Sequence, residues 1–179
     1  MNEVTICDSE AELVWVDTES NLILTNSHLR ASKKRAIYAA HGSSARITRT
    51  DIDSCNFGGM SFFATNKILV SDTTITNSSH TAIYLEKSTA RLKSITIEKS
   101  LGNAINASKS SKVMIEDSSL QDTAYPAVAI CDSSVGLIKR TLVTGSKMSG
   151  VVFRFKSRGM VKDTVITKCG QNGISVSDS

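Results

Sequence analysis

The chain has 179 residues, of which 40% are apolar and only 5% aromatic, and it contains a single proline. This length allows one domain, and the scarcity of large rings favours a core of stacked aliphatic strands over a globule packed around aromatic side chains. The net charge is +4, with lysine and arginine spread along the chain, so it argues only weakly for an acidic partner. The sequence shows no basic segment leading into an apolar run and no apolar run of transmembrane length, so neither a signal peptide nor a membrane span is expected.

Most of the chain repeats one pattern of about 23 residues. One aliphatic position recurs at spacings of 23 residues, with a single spacing of 22, as Leu29, Ile52, Ile75, Ile97, Leu120, Val143 and Ile166. Self-similarity at such a period is typical of stacked repeat proteins. The one shorter spacing predicts a turn that is one residue shorter at 87–91.

Within each copy, apolar and polar residues alternate with a period of two. Ile68 and Val70, Thr73 and Ile75, and then Ile83 and Leu85 mark three such stretches separated by polar turns. Period-two alternation predicts strands with one inward and one outward face. Serines and threonines recur at the corner after the first strand, and they predict hydrogen bonds along the stack; the set is Ser27, Thr50, Thr73, Ser118, Thr141 and Thr164, with Ile95 as the exception.

The two ends of the chain differ from the regular copies. Residues 1–20 form an atypical first copy, in which Ile6 and Val14 keep the register and Trp15 is interpreted as a filler at the end of the stack. Residues 21–179 form seven regular copies, and the last ends just after its third strand. We therefore predict that the sequence is part of a longer protein, and that an uncovered last coil associates end to end with another copy.

Stacked aliphatic columns, polar corners and three strands per copy resemble the right-handed parallel β-helix of the pectate-lyase-like superfamily. The resemblance covers residues 1–179 as one all-β domain, and it implies a solenoid of about eight coils of 23 residues with three short strands each. A leucine-rich repeat would need an LxxLxLxxN core, and a left-handed hexapeptide helix would need apolar residues every six positions. The sequence has neither pattern.

The resemblance also suggests where an enzyme of this superfamily would carry its chemistry. The acid clusters and short motifs of its lyases, polygalacturonases and epimerases are missing here, and no turn is long enough to build a cleft. The best remaining candidates lie on neighbouring second strands, where His28 and Arg30 face Asp51 and Asp53. Paired carboxylates beside a histidine suit acid–base work on a sugar, and they equally suit a cross-strand ladder of opposite charges.

Aromatic and basic residues offer binding hypotheses. Outward aromatic rings with scattered polar groups are typical of shallow sites for sugars or peptides, and the candidates are Tyr38, Phe57, His80, Tyr84 and Tyr125. A basic turn at Lys33, Lys34 and Arg35 could hold an anionic polymer. It lacks the interleaved aromatics that favour nucleic acid.

The four cysteines, Cys7, Cys55, Cys131 and Cys169, form no CxxC pair and have no metal-ligand spacing. Free thiols favour a reducing compartment such as the cytoplasm, and we expect neither metal nor cofactor. The sequence thus predicts a non-catalytic β-helix rod that presents a flat face to a polysaccharide or protein partner. The alternative is a carbohydrate-active enzyme, as a fragment or a divergent member.

Overall fold

A computed structural model describes residues 1–178, which form strands and turns without a helix. In chain order the strands are β1 (Thr5–Ser9), β2 (Val14–Val16), β3 (Asn21–Ser32), β4 (Ile37–Ala40), β5 (Ser44–Asp53), β6 (Met60–Phe63), β7 (Lys67–Thr76), β8 (Ile83–Glu86), β9 (Thr89–Ser100), β10 (Ile105–Ser108), β11 (Lys112–Glu116), β12 (Ser119–Thr123), β13 (Val128–Ile130), β14 (Val135–Lys139), β15 (Leu142–Thr144), β16 (Val151–Arg154), β17 (Arg158–Lys162), β18 (Val165–Thr167) and β19 (Ile174–Ser177). No helix that could cross a bilayer occurs in this part of the chain.

The strands stack in parallel into a solenoid of about eight coils. One sheet follows the order β2-β4-β6-β8-β10-β13-β16-β19 and is formed by the third strand of every coil, while the first and second strands form the other sheet. Partners lie 23 residues apart, as in Tyr38 with Ser61, except around coil 4, where Ile83 pairs with Ile105. The predicted all-β parallel β-helix is therefore confirmed.

The first two strands of a coil are less separate than the sequence predicts. In coils 2 to 5 they run on as the single long strands β3, β5, β7 and β9, while in coils 6 to 8 they are distinct. Each long strand bends at one residue in the left-handed region, Asn26, Arg49, Asp72 or Ser94, with φ between 47° and 52°. A single such residue turns the backbone without ending the ladder between neighbouring coils.

The predicted inward columns form the core. Ile75, Ile97 and Ile83 are fully buried, and the core continues from Val14 to Phe153 as one cluster. The shorter turn also lies where predicted, because only Lys87 and Ser88 separate β8 from β9, whereas residues 64–66 separate β6 from β7. The inside of the rod thus follows the repeat closely.

Buried hydroxyls connect the coils at the corners. Each predicted corner hydroxyl donates to the carbonyl two residues earlier, as Thr73 does to Ser71, and Ser118 also accepts the amide N–H of Ile95 from the preceding coil. A second ladder follows the third strands, where one amide N–H after another donates to the next hydroxyl at 3.0–3.1 Å; its members are Thr65, Ser88, Ser111 and Ser134. These bonds satisfy polar groups that burial would otherwise leave unpaired.

At the two ends of the described chain the packing loosens. Ile6 and Val14 pair with Leu29 and Ile37 as predicted. In coil 8, Val165 is 57% exposed and Ile174 47%. Association of these apolar side chains with another copy stays a prediction, which sedimentation across a wide concentration range tests.

Candidate functional site

A continuous strip of aromatic rings follows the outer face of the third strands in coils 1 to 4. Trp15 stacks on Tyr38 at 4.3 Å between ring centroids, Phe63 lies 5.3 Å beyond Tyr38, and Tyr84 lies 5.5 Å beyond Phe63. Aromatic contacts of this kind each contribute about 0.5–1.5 kcal/mol beyond area burial. We call this set of four rings the aromatic strip.

The strip is continuous because a small residue makes room for a neighbouring ring. Tyr38, Ser61 and Tyr84 share one outward column of the ladder, so the serine would leave a gap between the two tyrosines. Phe63, two residues further along β6, places its ring between them, and Ser61 is buried beneath. The sequence prediction included Tyr38 and Tyr84 but missed Phe63, because it considered only one outward column.

A second aromatic pair lies on the turn beside the strip. The rings of Phe57 and His80 stack at 5.3 Å with an interplanar angle of 14°. Between this pair and the strip lies a depression of about 200 Å³, lined by Arg35, Phe57, Ser61, Phe63, His80, Thr81 and Tyr84. It is smaller than the roughly 300–1,000 Å³ typical of pockets for drug-sized molecules, so it suits one unit of a longer chain.

Polar groups of the depression are held in place by neighbours. The Arg35 Nε donates to the Ser61 Oγ at 2.9 Å, and its guanidinium carbon lies 5.8 Å from the centre of the Tyr38 ring. The Tyr84 hydroxyl donates to Glu86 at 3.0 Å and lies 3.2 Å from the Ser108 hydroxyl. The depression therefore combines apolar walls with fixed hydrogen-bonding groups.

Burial and charge act on the Tyr84–Glu86 pair in opposite directions. Burial raises the pKa of Tyr84, and Glu86 adds to this increase, although the Ser108 hydroxyl partly offsets it. The ammonium of Lys109, 2.9 Å from Glu86, lowers the pKa of that carboxyl. At neutral pH the site thus holds a neutral phenol against an ionised carboxylate.

Of the five predicted aromatic residues, three line the depression and one lies in the strip. The fifth, Tyr125, is 55% exposed and follows His80 by two coils, with Gly102 at the intervening position. The glycine is forced by crowding, since a Cβ there would lie 2.4 Å from the Thr81 amide nitrogen. This break leaves Tyr125 outside the depression.

The interpretation of Trp15 as an end filler is wrong. Its side chain is 59% exposed and stacks on Tyr38 instead of entering the core. The alternation Val14–Trp15–Val16, with the two valines buried, already indicates an outward tryptophan. This signal was present in the sequence.

The predicted basic turn is largely neutralised by acids of the first coil. Lys33 pairs with Glu10 at 2.8 Å, while Lys34 and Arg35 both contact Glu12, at 3.7 and 3.4 Å. Three positive groups against two negative groups leave a net +1. Its role in holding an anionic polymer stays a prediction.

The predicted charged group on the second strands is assembled as expected. His28 pairs with Asp51 and Arg30 with Asp53 in the ladder, and the His28 Nδ1 lies 3.2 Å from Asp51. A depression of about 350 Å³ lies over these four side chains. Its catalytic role remains a prediction.

Asp53 is engaged in its own hydrogen bonds. Partial burial acts to raise the pKa of this carboxyl, but donors from Thr76, Asn77 and Ser54 outweigh burial and lower it below its usual value. A general acid at neutral pH needs a raised pKa. This environment therefore suits a structural ladder better than proton donation by Asp53.

Cysteines and acids form no further site within residues 1–178. All four cysteines are free, and burial raises the pKa of the Cys55 thiol. No group of three or more histidine, cysteine, aspartate or glutamate side chains in this range is arranged to hold a metal ion.

Comparison with known proteins agrees with the fold. The model of the "right handed beta helix region" family matches residues 12–90 and 81–179. Comparison with curated protein sequences finds no match. Among solved structures, the A-module of the Azotobacter vinelandii mannuronan C-5 epimerase AlgE4 is similar, with a TM-score of 0.67, 13% identity, and coverage of 99% of this chain and 58% of that one.

The catalytic domain of a GH87 alpha-1,3-glucanase, solved in complex with nigerose, is also similar, with a TM-score of 0.55 and 11% identity over 99% of this chain and 48% of that one. This chain thus spans about half the length of the structures that it resembles. At such low identities the likeness establishes the fold alone.

Proposed function

Because the chain belongs to the right-handed β-helix family, we propose that it is a non-catalytic solenoid whose third-strand face binds a polysaccharide. The observation that carries this proposal is the depression between the aromatic strip and the Phe57–His80 pair. Apolar ring walls exclude water from the CH groups of a sugar, while fixed polar groups bond its hydroxyls. That two similar structures are carbohydrate-active proteins by their titles adds support.

The shape of the face favours a polymer over a free monosaccharide. Within each row the rings stack on one another, so a ligand meets ring edges and the floor of the depression. The strip extends through four coils, or roughly 15 Å at about 4.8 Å per coil. Several sugar units could contact this length, with one of them in the depression.

Trp15 makes the proposal directly testable. It is the only tryptophan of the chain and stacks at one end of the strip, so its fluorescence reports on a ligand lying there. We would titrate nigero-oligosaccharides and mannuronan oligosaccharides and measure affinity by fluorescence and calorimetry. We expect saturable binding of at least one, with Phe63→Ala weakening it about tenfold, or ~1.4 kcal/mol.

Phe155→Ala is the matched control, because Phe155 is also an exposed phenylalanine, 47% accessible, but lies on the turn after β16. It should leave the affinity unchanged. Absence of binding to either sugar, or equal losses in both variants, would contradict the proposal.

A carbohydrate-active enzyme is the second candidate, and the contact between His28 and Asp51 below the 350 Å³ depression favours it. On this alternative the chain hydrolyses or isomerises a polysaccharide, and Asp51→Asn abolishes turnover without changing affinity at the aromatic strip. Product analysis after prolonged incubation with mannuronan and α-1,3-glucan distinguishes the two candidates. The non-catalytic proposal expects no turnover by the unmodified chain.

A further inference from the structure

A different face of the solenoid carries an unusual concentration of positive charge. The outward side chains of the first strands in coils 2 to 8 include eight cations, Arg46, Lys67, Arg91, Lys93, Lys112, Lys139, Arg158 and Lys162. They include one acid, Glu116. We call this the first-strand face. Its net charge is +7, although the whole chain carries only +4, so the rest of the chain is net −3.

Most of this charge has no partner within the chain. Glu116 is largely buried and pairs with Arg91 at 3.0 Å and with Arg140 of the adjoining corner at 3.6 Å. The other seven cations of the face form no ion pair with the described residues 1–178. Such a field attracts an anionic partner.

Aliphatic side chains lie between the cations. The central outward column contains Leu69, Arg91, Met114, Leu137 and Met160 in coils 4 to 8. Leu69 is 39% exposed and Met160 59%, while Met114 and Leu137 are half-buried. Exposed aliphatic side chains in a contiguous row indicate an interaction surface.

The cations and the aliphatic row form a groove of about 550 Å³ in coils 4 to 7. Its floor includes Leu69, Met114 and Leu137, and its rim includes Lys67, Arg91 and Lys112. Because lysine and arginine are longer than leucine and methionine, the charged heads stand above the aliphatic floor. A partner must therefore bring both a convex apolar ridge and flanking negative charge.

These requirements select among possible partners. The outward positions of the first strands contain no aromatic residue, so the face lacks the stacking platforms used for sugars or single-stranded nucleic acid. A flat bilayer would meet the charged rim before the recessed floor. A second copy docking by the same face would oppose eight cations with eight cations.

We propose that the first-strand face of coils 4 to 8 is a docking surface for an acidic amphipathic helix of a partner protein. The backbone of this face is already paired with the coils above and below, so a partner cannot add a strand to it and must bind through side chains. An apolar stripe flanked by carboxylates satisfies both the floor and the rim. From Leu69 to Met160 the row spans four coil spacings, roughly 19 Å, which a helix of about 13 residues matches.

A designed peptide tests this directly. The probe is a fluorescein-labelled helix of about 16 residues with leucines along one stripe and glutamates on either side, and binding is measured by anisotropy. A peptide of the same composition with the stripe scrambled and a peptide with lysines in place of glutamates are the ligand controls. We expect only the first peptide to bind.

Two double variants locate the site, Leu69→Ser with Met114→Ser for the floor and Lys67→Glu with Lys112→Glu for the rim. Each should weaken binding about tenfold or more, ~1.4 kcal/mol. The matched controls are Leu101→Ser and Lys147→Glu, which change exposed residues of the same types on turns away from this face and should alter affinity by less than about twofold. Circular dichroism confirms that all variants keep the strand signal.

Three outcomes would overturn the proposal. The scrambled peptide could bind as well as the amphipathic one, the floor and rim variants could bind like the unmodified chain, or the chain could ignore the peptide and sediment with vesicles of anionic phospholipid. The last result would assign the face to a membrane surface.

Discussion

The third-strand face and the first-strand face are built from the same repeat, yet their chemistry is opposite. The third-strand face of coils 1 to 4 carries contiguous rings, and its adjacent basic turn is almost balanced by Glu10 and Glu12. The first-strand face carries a net +7 and aliphatic side chains without rings. The difference shows that the inward columns must obey packing, whereas each outward column is free to acquire its own chemistry.

The largest effect is expected from breaking the core that both faces share. Ile97 is fully buried between Ile75 and Leu120 of the neighbouring coils, so Ile97→Asp buries an unpaired carboxylate at a cost of several kcal/mol. A total stability of about 5–15 kcal/mol leaves little reserve. We expect loss of the strand signal in circular dichroism and loss of binding at both faces.

Thr96→Asp is the control for this prediction, because Thr96 points outward between Thr74 and Ser119. Thr76 is less suitable, since its hydroxyl donates to Asp53 at 2.6 Å and an aspartate there would meet a like charge. If Thr96→Asp unfolds the chain as completely as Ile97→Asp, the inward and outward assignments are wrong by one residue.

Salt should separate the two faces. The peptide on the first-strand face depends on exposed, screened charges, so raising sodium chloride from about 50 to 200 mM should weaken it several-fold. Binding of a neutral nigero-oligosaccharide at the aromatic strip should change less than about twofold, because it depends on apolar contact and short hydrogen bonds. Equal salt dependence at the two faces, measured by the same titrations, would show that the division is false.

Removing the balancing acids should make the basic turn a stronger anion site. Glu10→Gln with Glu12→Gln deletes both negative partners of Lys33, Lys34 and Arg35 and changes the net charge of the cluster from +1 to +3. We expect mannuronan oligosaccharides to bind a few-fold more tightly. Glu98→Gln, on the second-strand face, is the control, and an equal gain there would mean that only overall charge matters.

How far the sequence predicted these features follows from the geometry of the repeat. The period of 23 and the alternation of two were sufficient for Ile75, Ile97 and Ile83, because inward positions tolerate few residue types. Phe63 was missed because its ring crosses from one outward column to the next, which depends on the small size of Ser61 and not on spacing.

Charge shows the same limit. Arg91 and Lys112 lie 21 positions apart in the chain, and only the stacking of coils brings them to one groove. Counted along the sequence, the cations look evenly spread. The uneven charge of the first-strand face therefore becomes visible only when each residue is assigned to a coil and a side.

The smallest expected effect is a shift in the titration of one phenol, which would distinguish the two faces within a single molecule. Burial raises the pKa of Tyr84, with Glu86 acting in the same direction, so the folded chain holds this proton more tightly than the unfolded chain does. The resulting contribution to stability is present below the ordinary tyrosine value of about 10 and is lost as pH rises through the folded value. Subtracting the absorbance titration of Tyr84→Phe from that of the unmodified chain isolates this phenol from the other two tyrosines, with Tyr125→Phe as the control. We expect a difference curve centred above about 10 that moves higher with saturating oligosaccharide and stays in place with the acidic peptide. A curve centred at or below the ordinary value, or one that responds equally to both ligands, would mean that Tyr84 does not report on a separate third-strand site.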